Sequence, residues 1–194
     1  MLRCTELPAL YRVTDMARLA GDDDCAMQKI ERVYMRTLRH VYDTEKQLVV
    51  AMATISDSVG DDRLIRAARE IARQSQDQLQ RIEHLFAVLY LEPRAEASWV
   101  ATALLREAWD SCSGAHEGGT QGCAAALLAL KRYEITLYEA LLRWSEQCEL
   151  EEAIGDIRRS IAEELVQASI LSDLAFVEES VAPALPMVEQ AALH

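Results

Sequence analysis

The chain has 194 residues, enough for one domain with a substantial buried core, and it carries a formal net charge of −12. That acidity excludes a general nucleic-acid binder, which needs clustered Lys and Arg against phosphate, and it equally excludes docking on anionic lipid. Hydrophobic residues make up 51%, Gly (7) and Pro (4) are scarce, and Ala, Leu, Glu, Arg and Gln dominate, so long helices joined by few turns are expected.

In chain order, the first stretch (1–20) lacks a basic start followed by a continuous apolar run, so it does not read as a signal peptide. No apolar run approaches the ~20 residues needed to span a membrane. A cytoplasmic protein is expected. A short helix is predicted over 7–20, inside an extension covering 1–24. Gly21–Asp24 reads as a break, with Asp24 as the N-cap of the next helix. Longer helices are predicted over 25–59, 62–90, 97–113, 121–148 and 151–180. Breaks separate them at Gly60–Asp62, Leu91–Glu96, Gly114–Gly122 and Glu149–Glu151, and a tail over 181–194 with Pro183 and Pro186 is read as irregular. No alternating strand pattern occurs.

Three of these helices carry an apolar stripe at helical spacing. The first reads Tyr34, Leu38, Val41, Glu45, Leu48, Met52, Ile55. The one after the glycine-rich break reads Leu127, Leu130, Glu134, Leu137, Tyr138, Leu141. The last reads Ile154, Ile157, Ile161, Glu164, Ala168, Leu171. Each contains one glutamate where an apolar residue is expected. Glu45 and Gln74 are 29 residues apart, and Glu134 and Glu164 are 30. The chain thus reads as two copies of one helical hairpin, with a polar residue at matching depth on every arm. The segment 91–120 is long enough to cross between the copies. The expected fold is all-α: a ferritin-like four-helix bundle over 25–180 with one long crossover that contains a helix.

A charged glutamate inside an apolar stripe is costly, and facing carboxylates raise one another's pKa. A metal ion, a basic side chain or protonation relieves that cost. Carboxylates on four facing helices are the usual cradle for two iron or manganese ions, with Glu on one arm of each hairpin and Glu-x-x-His on the other. Here the pattern is incomplete. Glu45, Glu134 and Glu164 are the candidate ligands, with Gln74 and Gln78 nearby. Glu164 is followed at +3 and +4 by Gln167 and Ala168, and no histidine stands in position. Lys131, one turn before Glu134 on nearly the same face, offers a positive charge in place of the metal. A polar or ion-paired core is favoured over a filled metal site.

Four strings in order resemble one family. VYDTEKQLVVAMATI (41–55), QDQLQRIEHLF (76–86), RYEITLYEALL (132–142) and IAEELVQASILSDLA (161–175) are similar to the four bundle helices of the YciE/YciF family of bacterial ferritin-like stress proteins. The resemblance implies a ferritin-like fold, a homodimer and a carboxylate metal site, to which Glu45, Glu134 and Glu164 correspond. The family usually has Glu where this chain has Gln74 and Lys131, and an acidic residue where it has Ala168. Those departures remove carboxylates and add a positive charge.

Other signals are weaker. Cys4, Cys25, Cys112, Cys123 and Cys148 are odd in number and form no CxxC pair, so they read as reduced thiols. Trp99 and Trp109 on the crossover read as packing anchors. Tyr42, Tyr133 and Tyr138 flank the interior glutamates. Asp22–Asp24 lacks the remaining ligands of a calcium loop, and Gly114–Gly122 reads as a flexible joint. The expected role is structural or interaction-based in stress defence. The alternative is a metal-dependent oxidoreductase or metal-handling protein using iron or manganese.

Overall fold

Apolar residues recurring every three or four positions turn one face of each helix inward. The computed structural model describes residues 21–113 and 119–176, and five helices account for nearly all of them. These are α1 (Gly21–Ser58), α2 (Asp62–Val88), α3 (Trp99–Cys112), α4 (Gly119–Gln147) and α5 (Glu151–Ala175). No strand occurs among the described residues. The chain forms two antiparallel hairpins, α1 with α2 and α4 with α5. α3 crosses between them, and α2 against α5 and α1 against α4 close the bundle.

The predicted stripe of α1 is buried at every position from Tyr34 to Ile55, Glu45 included. α4 and α5 bury theirs in the same way, except that Leu137 and Ile161 remain half-buried. Each fully buried Leu or Ile contributes about 1.5–3 kcal/mol, so these stripes supply the main drive for assembly. The apolar interior divides in two. One cluster includes Leu48, Met52, Ile71, Leu127, Leu130 and Leu171. The other includes Leu38, Val41, Ile82, Phe86, Tyr138 and Ile157. Between them, on all four bundle helices, lie polar residues.

The connections have local causes. Asp61 caps α2, its carboxylate accepting from the amides of Arg63 (2.7 Å) and Leu64 (3.3 Å). Ser98 caps α3, and its own amide donates to Asp43 Oδ2 of α1 (2.8 Å), pinning the start of the crossover. α2 and α4 end on non-glycine residues with left-handed backbone, Tyr90 (φ 55°) and Glu149 (φ 54°). The next amide of each, Leu91 and Leu150, then reaches back to the carbonyl of Phe86 or Ser145.

Several expectations are corrected. α1 covers Gly21–Ser58, so Asp22–Asp24 lie within the helix instead of forming a break. α4 begins at Gly119, inside the segment read as a joint. The last helix ends at Ala175 with Phe176 as its cap. The helix expected over 7–20, residues 114–118 of the expected joint and the expected tail over 181–194 lie outside the described residues. Trp99 and Trp109 are 79% and 38% exposed instead of anchoring the crossover. α3 packs through the small side chains of Ala101, Ala108 and Ser111 together with Leu105, which turns both indoles outward. Cys112 and Cys123, read as free thiols, are joined in a disulfide, because the end of α3 and the start of α4 lie side by side.

Candidate metal centre

The polar level between the two apolar clusters is built by helical spacing. Glu45 sits between Val41 and Leu48, Glu134 between Leu130 and Tyr138, and Glu164 between Ile157 and Leu171, so each carboxylate inherits the inward direction of its stripe. All three side chains are 0% exposed. One carboxylate oxygen from each lies within 4.8 Å of the others. The three glutamates singled out in the sequence are therefore gathered at one point.

Lys131 completes the cluster. Its side chain is 2% exposed, and its Nζ lies 2.9 Å from Glu134 Oε2 and 3.0 and 3.1 Å from the two oxygens of Glu164. The contact to Glu164 Oε1 is an aligned hydrogen bond. Those to Glu134 Oε2 and Glu164 Oε2 have ion-pair distance without that alignment. Gln78 donates to Glu164 Oε1 from the opposite hairpin (2.9 Å), and Tyr138 donates its phenol to Glu45 Oε1 (2.8 Å). Gln74, expected at the same level, turns its amide toward Glu70 (3.0 Å), so Gln78 is the glutamine that touches the carboxylates.

The remaining flanking groups face elsewhere. Tyr42 donates to Glu83, and Tyr133 meets Ser98. His40 pairs with Glu96 and His84 with Asp156, so neither reaches the centre. Around the cluster, Arg81 binds both Glu163 and Ser160, and Gln78 also reaches Glu163 (3.4 Å), linking the buried level to the α2–α5 surface. That outer support was not singled out in the sequence. Arg81 and Glu163 lie on no apolar stripe, and nothing in their spacing pairs two residues so far apart in the chain.

The electrostatics follow from burial. Desolvation, partly offset by Lys131, pushes the Glu45 carboxyl up to about 7. Desolvation and then the Glu164 charge push Glu134 well above the ordinary carboxylate range. For Lys131, burial opposes the charge, but Glu134, Glu164 and Glu45 outweigh it and hold the ammonium above its ordinary value. Burial and the adjacent carboxylates hold the Tyr138 phenol well above its ordinary value. One ammonium and retained carboxyl protons thus bring the cluster toward neutrality.

The donor set does not fit a two-metal centre. Three carboxylates converge with no histidine beside them, and an ammonium stands where a cation would lie. Glu45 Oε2 and both oxygens of Glu134 nevertheless have no hydrogen-bond partner, so the cradle keeps acceptor capacity that a hard, oxygen-preferring cation would use.

Comparison with known proteins gives a consistent assignment. The family model described as "Domain of unknown function (DUF892)" matches residues 29–183. Protein YciF of Escherichia coli (strain K12) is 25% identical over 152 residues, covering 77% of this chain and 92% of YciF. Among solved structures, YcfI from Rhodopseudomonas palustris superposes with a TM-score of 0.69 at 22% identity, over 76% of this chain and 95% of that one. The E. coli stress protein YciF superposes with a TM-score of 0.69 at 24% identity, over 75% and 94%.

Proposed function

This chain belongs to the DUF892 family of YciF-like, ferritin-like proteins, and from that premise we propose that it is a stress-related helical bundle whose Lys131 ammonium stands in for a metal ion. Its role is structural or interaction-based, as a homodimer in the cytoplasm, with the residues ahead of α1 as an added element. The observation that carries this reading is the placement of Lys131 Nζ within 2.9–3.1 Å of both Glu134 and Glu164 in a fully buried cluster. A divalent ion among these oxygens would face a fixed positive charge at contact distance. Two unit charges of the same sign at such separations repel strongly wherever solvent is excluded.

Elemental analysis tests the reading. Protein expressed with supplemented iron or manganese and purified without chelator is expected to hold far less than one ion per chain. One ion per chain, lost in Glu45→Ala, overturns it.

A second reading rests on Glu45 Oε2 and Glu134 Oε1, which have no hydrogen-bond partner. In it Lys131 swings aside, and the three carboxylates hold one iron or manganese ion in a metal-handling or oxidoreductase protein. The same analysis separates the two, because only this second reading expects a stoichiometric ion.

A further inference from the structure

The end of the crossover helix carries chemistry that the buried carboxylates do not use. Cys112 is the last residue of α3 and is half-buried. Cys123, five positions into the described part of α4, is sealed inside the larger apolar cluster with Ala108, Ala124 and Leu127. Their sulfurs are bonded, with Cα atoms 5.6 Å apart. Immediately before them in the chain, Ser111 and Gly122 meet. A Cβ at Gly122 would lie 3.2 Å from Ser111 Oγ and 3.4 Å from Ser111 Cβ.

Two helices come this close because glycine lets them, with the rest of α3 packed on the same cluster. The approach is therefore set by side-chain packing as well as by the covalent bond. When reduced, Cys123 is a small apolar side chain in an apolar site, and Cys112 stays within reach of it. Both redox states are compatible with the folded bundle. Cys148 packs against the other apolar cluster, and burial pushes its thiol up, so it is a poor nucleophile and sits apart from the pair.

We propose that Cys112 and Cys123 form a reversible, peroxide-responsive dithiol–disulfide site that clamps the crossover helix to the start of α4. Cys112, the more accessible of the two, attacks one oxygen of hydrogen peroxide or an alkyl hydroperoxide. Its sulfur becomes a sulfenic acid, and the other oxygen leaves as water or the alcohol. The Cys123 thiol then attacks that sulfur, a second water leaves, and the S–S bond forms. Two thiols lose two electrons in total, and the peroxide gains them. A small dithiol reverses the step by exchange.

The clamp ties the last residue of α3 to the start of α4, so its loss loosens the last turns of α3. Amides over 105–112 are expected to exchange at least ~10-fold faster in the reduced protein, the mark of a locally opened helix end.

The test uses the full chain, reduced, desalted and treated with one equivalent of hydrogen peroxide. Maleimide labelling and peptide mapping are expected to show Cys112 and Cys123 lost together, then recovered by dithiothreitol without denaturant. In Cys123→Ala, Cys112 is expected to stop at a sulfenic acid that dimedone traps, with the helical circular dichroism retained. Labelling of both thiols after peroxide overturns the proposal. So does loss of one without the other in the unsubstituted chain, or a bond that dithiothreitol opens only in denaturant. Equal exchange over 105–112 in both states removes the clamp. None of these outcomes depends on whether Lys131 replaces a metal.

Discussion

Lys131 and Glu164 face each other across the second hairpin as a sealed ion pair. The ammonium lies 3.0–3.1 Å from both carboxylate oxygens, and neither side chain is more than 2% exposed. Buried pairs of this kind contribute little net stability when intact, because desolvation offsets attraction, but removing one partner leaves a charge stranded in apolar surroundings.

Lys131→Met therefore tests the pair from its costly side. Loss of the ammonium leaves three convergent carboxyl groups with no cation, and stability at pH 7 is expected to fall by about 3–5 kcal/mol in urea unfolding. Manganese added to this variant is expected to raise the midpoint while leaving that of the parent unchanged, since only the variant has a vacant position for a cation. A variant within 1 kcal/mol of the parent, as an order-of-magnitude bound, would show that Lys131 is dispensable to the interior.

The raised Glu45 carboxyl gives a pH dependence with a definite sign. Folded, it titrates at about 7 instead of near 4.5, because burial disfavours its charge. The folded state therefore keeps a proton that the unfolded state has released. The contribution is complete below about pH 4.5 and is lost as pH rises through 7. Urea midpoints are expected to decline between pH 5 and about 7.5, and Glu45→Gln to flatten that decline. A midpoint rising over this window in the parent would contradict the buried position of Glu45.

Glu149→Gly probes backbone strain at the turn between α4 and α5. A side chain at φ 54° carries a steric penalty that glycine escapes, so the variant is expected to gain about 0.5–1 kcal/mol. Thermal unfolding reads this directly. A loss of stability would mean that the Glu149 side chain makes a compensating contact.

Much of the bundle was legible because helical period is a strong local signal. The α1 stripe from Tyr34 to Ile55 is buried at every predicted position, and Glu45, Glu134 and Glu164 converge because each occupies a stripe position. Lys131 could be named in advance, since one turn of helix fixes its distance from Glu134. What was not legible depends on rotation and on contacts distant in sequence. Gln74 and Gln78 are one turn apart on the same helix, and spacing alone does not say which amide turns toward Glu164. The exposure of Trp99 follows from which face of a short helix carries its small residues. The Cys112–Cys123 bond joins two helices that approach at Ser111 and Gly122, which no pattern of cysteines announces.

The division of the interior into two apolar halves has a consequence for how the rods align. Leucine-rich stripes are nearly interchangeable, and hydrocarbon alone would tolerate a helix slipped by one turn, roughly 5.4 Å. With a belt of carboxylates, glutamines and one ammonium between the halves, such a slip would drive an acid group into oil and leave the lysine facing leucine. The native stagger of the four rods brings Glu45 to Tyr138, Gln78 to Glu164, and Lys131 to both Glu134 and Glu164. The belt therefore acts as a vernier, selecting one alignment from several that greasy contacts would rank alike.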